Sequence, residues 1–360
     1  MSKIKLRHIV SIGILFSLGN LILIMGINKE YIIQSVLISF VCSSSIIYFY
    51  QKLLNKYPNM SLFSIIKTKY NNLIGNIIII IYSIFLLING VQIIYSFLDF
   101  ITSINQLDYE SKTFIMFLNF LLLVYILNNS LNNLSRFTQI IFVLSSTMIF
   151  LLFVMGLKDI NFTNLLPAMP SDFKDVFSSI SVLIVYPFLE ITLLFNVFSK
   201  MENTRSKKYI FYIINILSML FIIWMCIEVI GILGSDYSCY LNYPYYVAIS
   251  CINVSKIVIR IESLSFIIYY FCCFVKLVFI VYNLVIAFNT ITNSRRKHYQ
   301  PFLLIMHILS LIIFDNFSEM KTFMIYYSLV YIIFSICLVF FLFIKKDKKQ
   351  ENINIINHYA

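Results

Sequence analysis

The sequence predicts an all-α polytopic membrane protein of about ten spans, and three observations carry that reading. Hydrophobic residues make up 60% of the 360 and charged residues only 12%, with a mean hydropathy of +0.89. That is more apolar side chain than a soluble domain can bury. The apolar runs are continuous over roughly 20 residues, the length of a spanning helix, and lack the alternation of barrel strands. The polar gaps between the runs also alternate in charge along the chain.

Taken in order, the candidate spans are 9–26, 31–50, 73–98, 112–127, 136–156, 176–198, 209–233, 262–291, 301–315 and 322–344. The fourth and ninth are short, and the third and eighth are long enough to tilt. With the N-terminus in the cytoplasm, the inner segments hold 19 of the 27 Lys and Arg, the outer segments 7, and span 8 the remaining Lys276. Acidic residues show the opposite bias, 3 inside and 11 outside. A wrong span count would scramble that alternation, so both termini are placed in the cytoplasm.

The first span follows Lys3, Lys5 and Arg7, which imitate a signal peptide. No small-residue cleavage site follows, so the segment is read as a retained helix. It holds Gly13, Gly19 and Gly26 of the chain's 8 Gly, and Gly19-Asn20 falls near its middle. A packing glycine with a capping asparagine and a helix broken at mid-membrane both fit that pattern.

Residues 157–175, with Asn164-Leu165-Leu166-Pro167 and Pro170, read as an outer loop. The sixth span carries Pro187, which removes a backbone donor and crowds the carbonyl of Leu183. Glu190 follows, and a mid-membrane carboxylate costs about 2.5–3.5 kcal/mol on insertion scales. A break and a charge at one depth point to backbone turned towards a cavity. Glu228 lies close enough to the outer end of its span to snorkel and is given no role. Residues 240–261 read as an interfacial or re-entrant outer helix opening at Tyr243-Pro244. Span 8 carries Lys276, which pairs with Glu190 or faces water. The basic tail 345–360 lies on the anionic inner leaflet.

Ten spans divide into five plus five, a repeat at about 9–156 and an inverted one at about 176–344 within a single domain. Such repeats typify transporters whose first and sixth helices are broken around the substrate. Both half-helices would then aim positive N-terminal ends at one midplane site, suited to a carboxylate, while Glu190 receives an ammonium. The candidate ligand-binding residues are therefore Gly19, Asn20, Tyr186, Pro187, Phe188 and Glu190, and the ligand class is a small zwitterion.

Other chemistry is not indicated. There is no P-loop, dinucleotide loop, HExxH or nucleophile elbow, so neither an enzyme nor a cofactor is expected. His8, His298 and His358 lie in or beside basic inner segments and read as solvated surface histidines, His307 falls near the start of span 9, and the cysteines show no metal-ligand spacing. The net charge of +11 lies in short clusters between spans, which makes the bilayer the partner and not nucleic acid.

Several segments together resemble the spore germination receptor B subunits, within the amino acid–polyamine–organocation permease superfamily. They are Tyr57-Pro58 with Ser61-Leu62, Asn164-Leu165-Leu166-Pro167, the Phe188–Glu190 break, Tyr243-Pro244, Arg260-Ile261-Glu262 and Phe274-Val275-Lys276. The chain departs from that pattern in span 1, where Gly19-Asn20 is sparser than the glycine-rich break of working permeases. The resemblance implies a germinant-sensing subunit in the inner membrane of a bacterial spore, binding an amino acid and working with an A subunit and a C-subunit lipoprotein. A proton-coupled or facilitative amino-acid transporter is the alternative. Arg260, Glu262 and Lys276 then act as structural or coupling charges. In related folds a cation site lies between the first and eighth helices, and the Lys276 ammonium is expected to replace that cation.

Overall fold

The computed structural model describes residues 3–20, 31–165, 179–202, 204–252, 260–294 and 298–345. Eight of its helices are long and apolar enough to span a membrane, and Leu6–Leu18 and Tyr299–Ile312 are shorter apolar helices. Together they account for the ten expected spans.

The helices begin and end where local chemistry dictates. Helix α1 (Leu6–Leu18) stops at Gly19, whose N–H is bonded to Leu15 O at 3.0 Å. Helix α2 (Ile32–Lys56) runs past the expected end at 50, and Lys56 in its last turn complements the helix dipole. Helix α3 (Leu62–Lys69) is capped by Ser61, whose hydroxyl accepts from Ser64 N at 3.1 Å. Helix α4 (Asn72–Asn105) is the longest and ends in left-handed Gln106. Helices α5 (Tyr109–Leu127) and α6 (Leu131–Gly156) follow, α6 being capped by Ser130.

Helix α7 (Ser179–Phe198) is the broken one. Helix α8 (Ile210–Leu233) is terminated by Gly234 at φ 81°, a conformation open to glycine and strained for other residues. The short helix α9 (Pro244–Ser250) starts with Pro244 in its first turn, where a missing N–H is harmless. Helix α10 (Glu262–Thr292) ends in left-handed Asn293, and α11 (Tyr299–Ile312) follows. Helix α12 (Phe317–Ile344) opens with Asn316 accepting from Glu319 N at 2.8 Å, while the Glu319 carboxylate accepts from Asp315 N at 3.0 Å.

Burial separates core from periphery. In α7 and α10 the most apolar windows are 89% and 83% buried, against 17% in α5. The exposed Phe114, Phe117, Leu121 and Tyr125 make α5 a lipid-facing helix. Helix α10 packs on α1 and α4, and α1 also on α6 and α8, so α1, α4, α7 and α10 meet at the centre.

The side that carries the N-terminus is tightly closed. Ile4 pairs with the segment after α7, its N–H bonding Lys200 O and its carbonyl accepting from Glu202 N, both at 3.1 Å. The Lys207 ammonium donates to the carbonyls of Ser199 (2.9 Å) and Met201 (3.0 Å) at the end of α7. From α3, Lys67 donates to Thr290 O at the end of α10, and Lys69 donates to Lys345 O at the end of α12 (2.7 Å). Three lysines thus satisfy carbonyls at the C-terminal ends of three spanning helices, where the dipole favours a cation. Burial alone holds the Lys67 ammonium below the ordinary lysine pKa.

Four expectations need correction. Glu228 does not snorkel but is fully buried, because α9 folds over the outer end of α8. Of the two readings of 240–261, the interfacial one falls for the described part and the re-entrant one is left: Pro244, Tyr245, Ala248 and Ile249 are buried against α8 and α10. His8, read as a solvated residue, is buried on α1. Several spans extend beyond the hydropathic runs, α4 to Asn105 and α12 back to Phe317, because flanking polar residues keep helical geometry outside the apolar core. Residues 21–30, 166–178 and 253–259 and the tail from 346 lie outside the described residues, so the outer half of span 1 and Pro167 are among the calls that fall there.

Candidate functional site

The site forms where α7 loses its helical path. Tyr186 has φ −102° and ψ 107° inside the helix, and the Tyr186–Pro187 peptide bond is cis. Leu189 N reaches back to the carbonyls of Ile184 and Val185, and a tight 3-10 turn runs from Leu189 to Leu194. Pro187 cannot donate and Tyr186 is extended, so the chain re-enters a helix at Phe188 with Glu190 in its first turn. Across from it, α1 ends at Leu18 and Gly19-Asn20 leaves the helix.

The break in α7 and the end of α1 meet at Glu190. Its carboxylate accepts from Asn20 Nδ2 at 2.5 Å, from Asn89 Nδ2 on α4 and from Lys276 Nζ on α10. The pair Glu190–Lys276 is an ion pair with both side chains fully buried. Isolated, either charge would be prohibitive here; paired and hydrogen-bonded, the carboxylate is compensated from three helices. Lys276 also lies over the Phe16 ring (5.0 Å) and the Tyr186 ring (5.9 Å). The pair therefore takes the first of the two arrangements the sequence allowed, contact and not solvation.

Around the pair the other expected residues take distinct positions. Gly19 packs directly on the stem of Lys276, and its carbonyl accepts from the Cys273 thiol at 3.4 Å. The Tyr186 hydroxyl donates to Gln92 Oε1 at 2.6 Å, and its ring stacks on Tyr327 of α12 at 5.8 Å. Phe188 is buried with its ring edge-on to Phe40 of α2, 5.8 Å away. Arg260 and Glu262 are not brought to the site: Arg260 is exposed, and Glu262 opens α10 at its far end from the pair's side.

Asn89, Gln92 and Tyr327 were missed by sequence reading. Asn89 and Gln92 are three apart on α4, hence on one face, within the apolar middle of a helix of 34 residues. Two amides at helical spacing inside so apolar a run were the available signal. Three of the site's polar atoms have no partner among the described residues: Asn20 Oδ1, Asn89 Oδ1 and Gln92 Nε2. Two acceptors and one donor, all buried beside an ion pair, are the complement of a small molecule that carries both N–H donors and a carboxylate.

The fold and this arrangement define a class of protein: a polytopic permease-like membrane protein with its polar centre between the broken α7 and the end of α1. Residues 3–324 match the family model described as "Spore germination protein", and the chain belongs to that family. Chains of solved structures also match, 21 in number. One is a Na+-coupled sialic acid symporter in a substrate-bound, outward-open state, with a TM-score of 0.59 and 10% identity, covering 98% of this chain and 75% of that one. No curated sequence matches.

Proposed function

We propose that this chain is a membrane-embedded receptor subunit that senses a small zwitterion, an amino acid or a close analogue, as a germinant. The observation that carries the reading is the buried Glu190–Lys276 pair, set between the break in α7 and the end of α1. A zwitterion can insert into such a pair without leaving a charge unmatched. Its ammonium takes Glu190 and its carboxylate takes Lys276, so one ion pair becomes two. Asn20 Oδ1 and Asn89 Oδ1 then accept from the ammonium, and Gln92 Nε2 donates to the carboxylate. Separating Glu190 from Lys276 shifts α7 against α10, and that displacement is the signal passed to an A subunit and a lipoprotein C subunit in the spore inner membrane. The loop charges support a cytoplasmic location for both termini.

The test is binding and germination with one variant. Glu190→Gln, which keeps shape and loses charge, should abolish amino-acid binding to the purified chain and fail to restore germination to a strain deleted for the gene. Full restoration by Glu190→Gln would contradict the proposal. The likeness to a symporter fold supports a second reading, a carrier using the same site. Accumulation of labelled amino acid in proteoliposomes by this chain alone would favour the carrier over the receptor.

A further inference from the structure

Glu228 lies in the outer part of α8, on the opposite side of the protein from Ile4 and its partners, and is fully buried. Neither carboxylate oxygen has a hydrogen-bond partner among the described residues. Two elements close over it. From α9 the Tyr245 hydroxyl, itself unpaired, faces the carboxylate. From α6 comes Gly156, where a methyl group would lie 3.3 Å from Glu228 Oε1 and 3.2 Å from Ile252. Gly156 is the last residue of α6, so the negative pole of that helix stands against the carboxylate. No lysine, arginine or histidine among the described residues faces Glu228, and Tyr245 is the titratable group set against it.

The end of α6 adds negative potential here, and among the described residues the neutral Tyr245 hydroxyl is the polar group set against the carboxylate, so a bare negative charge is not matched by a positive one. Among the described residues, none supplies this carboxylate with a positive charge. We propose that Glu228 is a cation-binding site, in which a proton or a small monovalent cation neutralises the carboxylate between α6, α8 and α9. A single carboxylate matches a charge of one, and the described residues hold no cluster of three or more His, Cys, Asp or Glu that would suit a multivalent metal. The Tyr245 oxygen supplies the second ligand, accepting from a carboxylic O–H or coordinating a metal cation. An occupied site holds α9 down on α8; a vacated one leaves a repelling charge beneath it. The site thus couples the seating of α9 to the cation content of the medium on that side, independently of the Glu190–Lys276 reading.

The purified chain in lipid nanodiscs, observed by infrared spectroscopy and by thermal unfolding across pH, sodium and potassium, separates the sources. A protonated-carboxyl band at neutral pH that is lost in Glu228→Gln identifies the proton. No such band, with a sodium- or potassium-dependent rise in unfolding temperature that Glu228→Gln loses, identifies the metal cation. Absence of the band together with cation-independent unfolding in the wild type overturns the proposal. Tyr245→Phe keeps the ring and guards against a misfolded Glu228→Gln: it should shift the band or weaken the cation effect, and wild-type behaviour in both would also count against the site.

Discussion

Gly19 and Lys276 are in direct contact across α1 and α10: a methyl group at position 19 would sit 2.8 Å from Lys276 Cδ, 3.1 Å from its Cβ and 3.2 Å from the Cys272 carbonyl. The glycine is what lets the lysine stem lie along the end of α1 and reach Glu190. Gly19→Ala is hindered mainly by the flexible Lys276 stem, which can give way, with the Cys272 carbonyl at a tight 3.2 Å, whereas Gly19→Val adds two further methyls to that crowded position. We expect alanine to weaken amino-acid binding through displacement of Lys276 while leaving the fold intact. Valine should lower stability by about 1–3 kcal/mol, the usual cost of overpacking. Unfolding in detergent and ligand titration on both variants check this, and equal effects of the two would contradict it.

The ion pair predicts strong coupling between its members. Removing one partner strands a buried charge and costs about 3–5 kcal/mol, whereas replacing both with uncharged groups of similar volume is often neutral. Glu190→Gln and Lys276→Met should each destabilise the chain, and the double variant should recover most of the loss. Additive effects in a double-mutant cycle would mean that the two charges are not coupled.

Most of the fold was legible in the sequence because a bilayer leaves few options. Continuous apolar runs and alternating loop charge fixed the span count, and the break at Pro187 follows from a missing donor. The pairing of Glu190 with Lys276 was legible as one of two arrangements, because two mid-span charges in a chain with so few charged residues have few partners to choose from and water is the other. Asn89, Gln92 and Tyr327 were not, since an amide or tyrosine within an apolar run carries no charge penalty and reads as incidental until packing shows which face turns inward. Glu228 was misread for a related reason. Distance from the helix end describes its reach, but the burial comes from α9, whose fold over α8 is a tertiary fact.

Tyr186 offers a test of the polar shell as distinct from the charges. Its hydroxyl holds Gln92 at 2.6 Å, and its ring stacks on Tyr327. Tyr186→Phe keeps the stack and strips Gln92 Oε1 of the Tyr186 donor, which should cost about 1–3 kcal/mol of stability. Because Gln92 then loses its orientation, affinity should fall for ligands with a carboxylate and stay level for amides of the same amino acids. A uniform loss across both ligand sets would place Tyr186 in general packing.

The Lys276 ammonium also predicts how the site relates to sodium. It sits between α1 and α10, against Gly19 and over the Phe16 ring, and its charge is already matched by Glu190. A sodium ion placed beside it would be repelled at close range, with nothing to offset the cost in a low-dielectric interior. Amino-acid binding should therefore be unchanged when sodium is replaced by choline at constant ionic strength. Lys276→Ala opens the position and leaves Glu190 without its counter-charge, so this variant alone should acquire a sodium dependence, read as a sodium-induced rise in unfolding temperature. Steep sodium dependence in the wild-type chain, or none in Lys276→Ala with Glu190 intact, would show that the ammonium does not take the place of a cation.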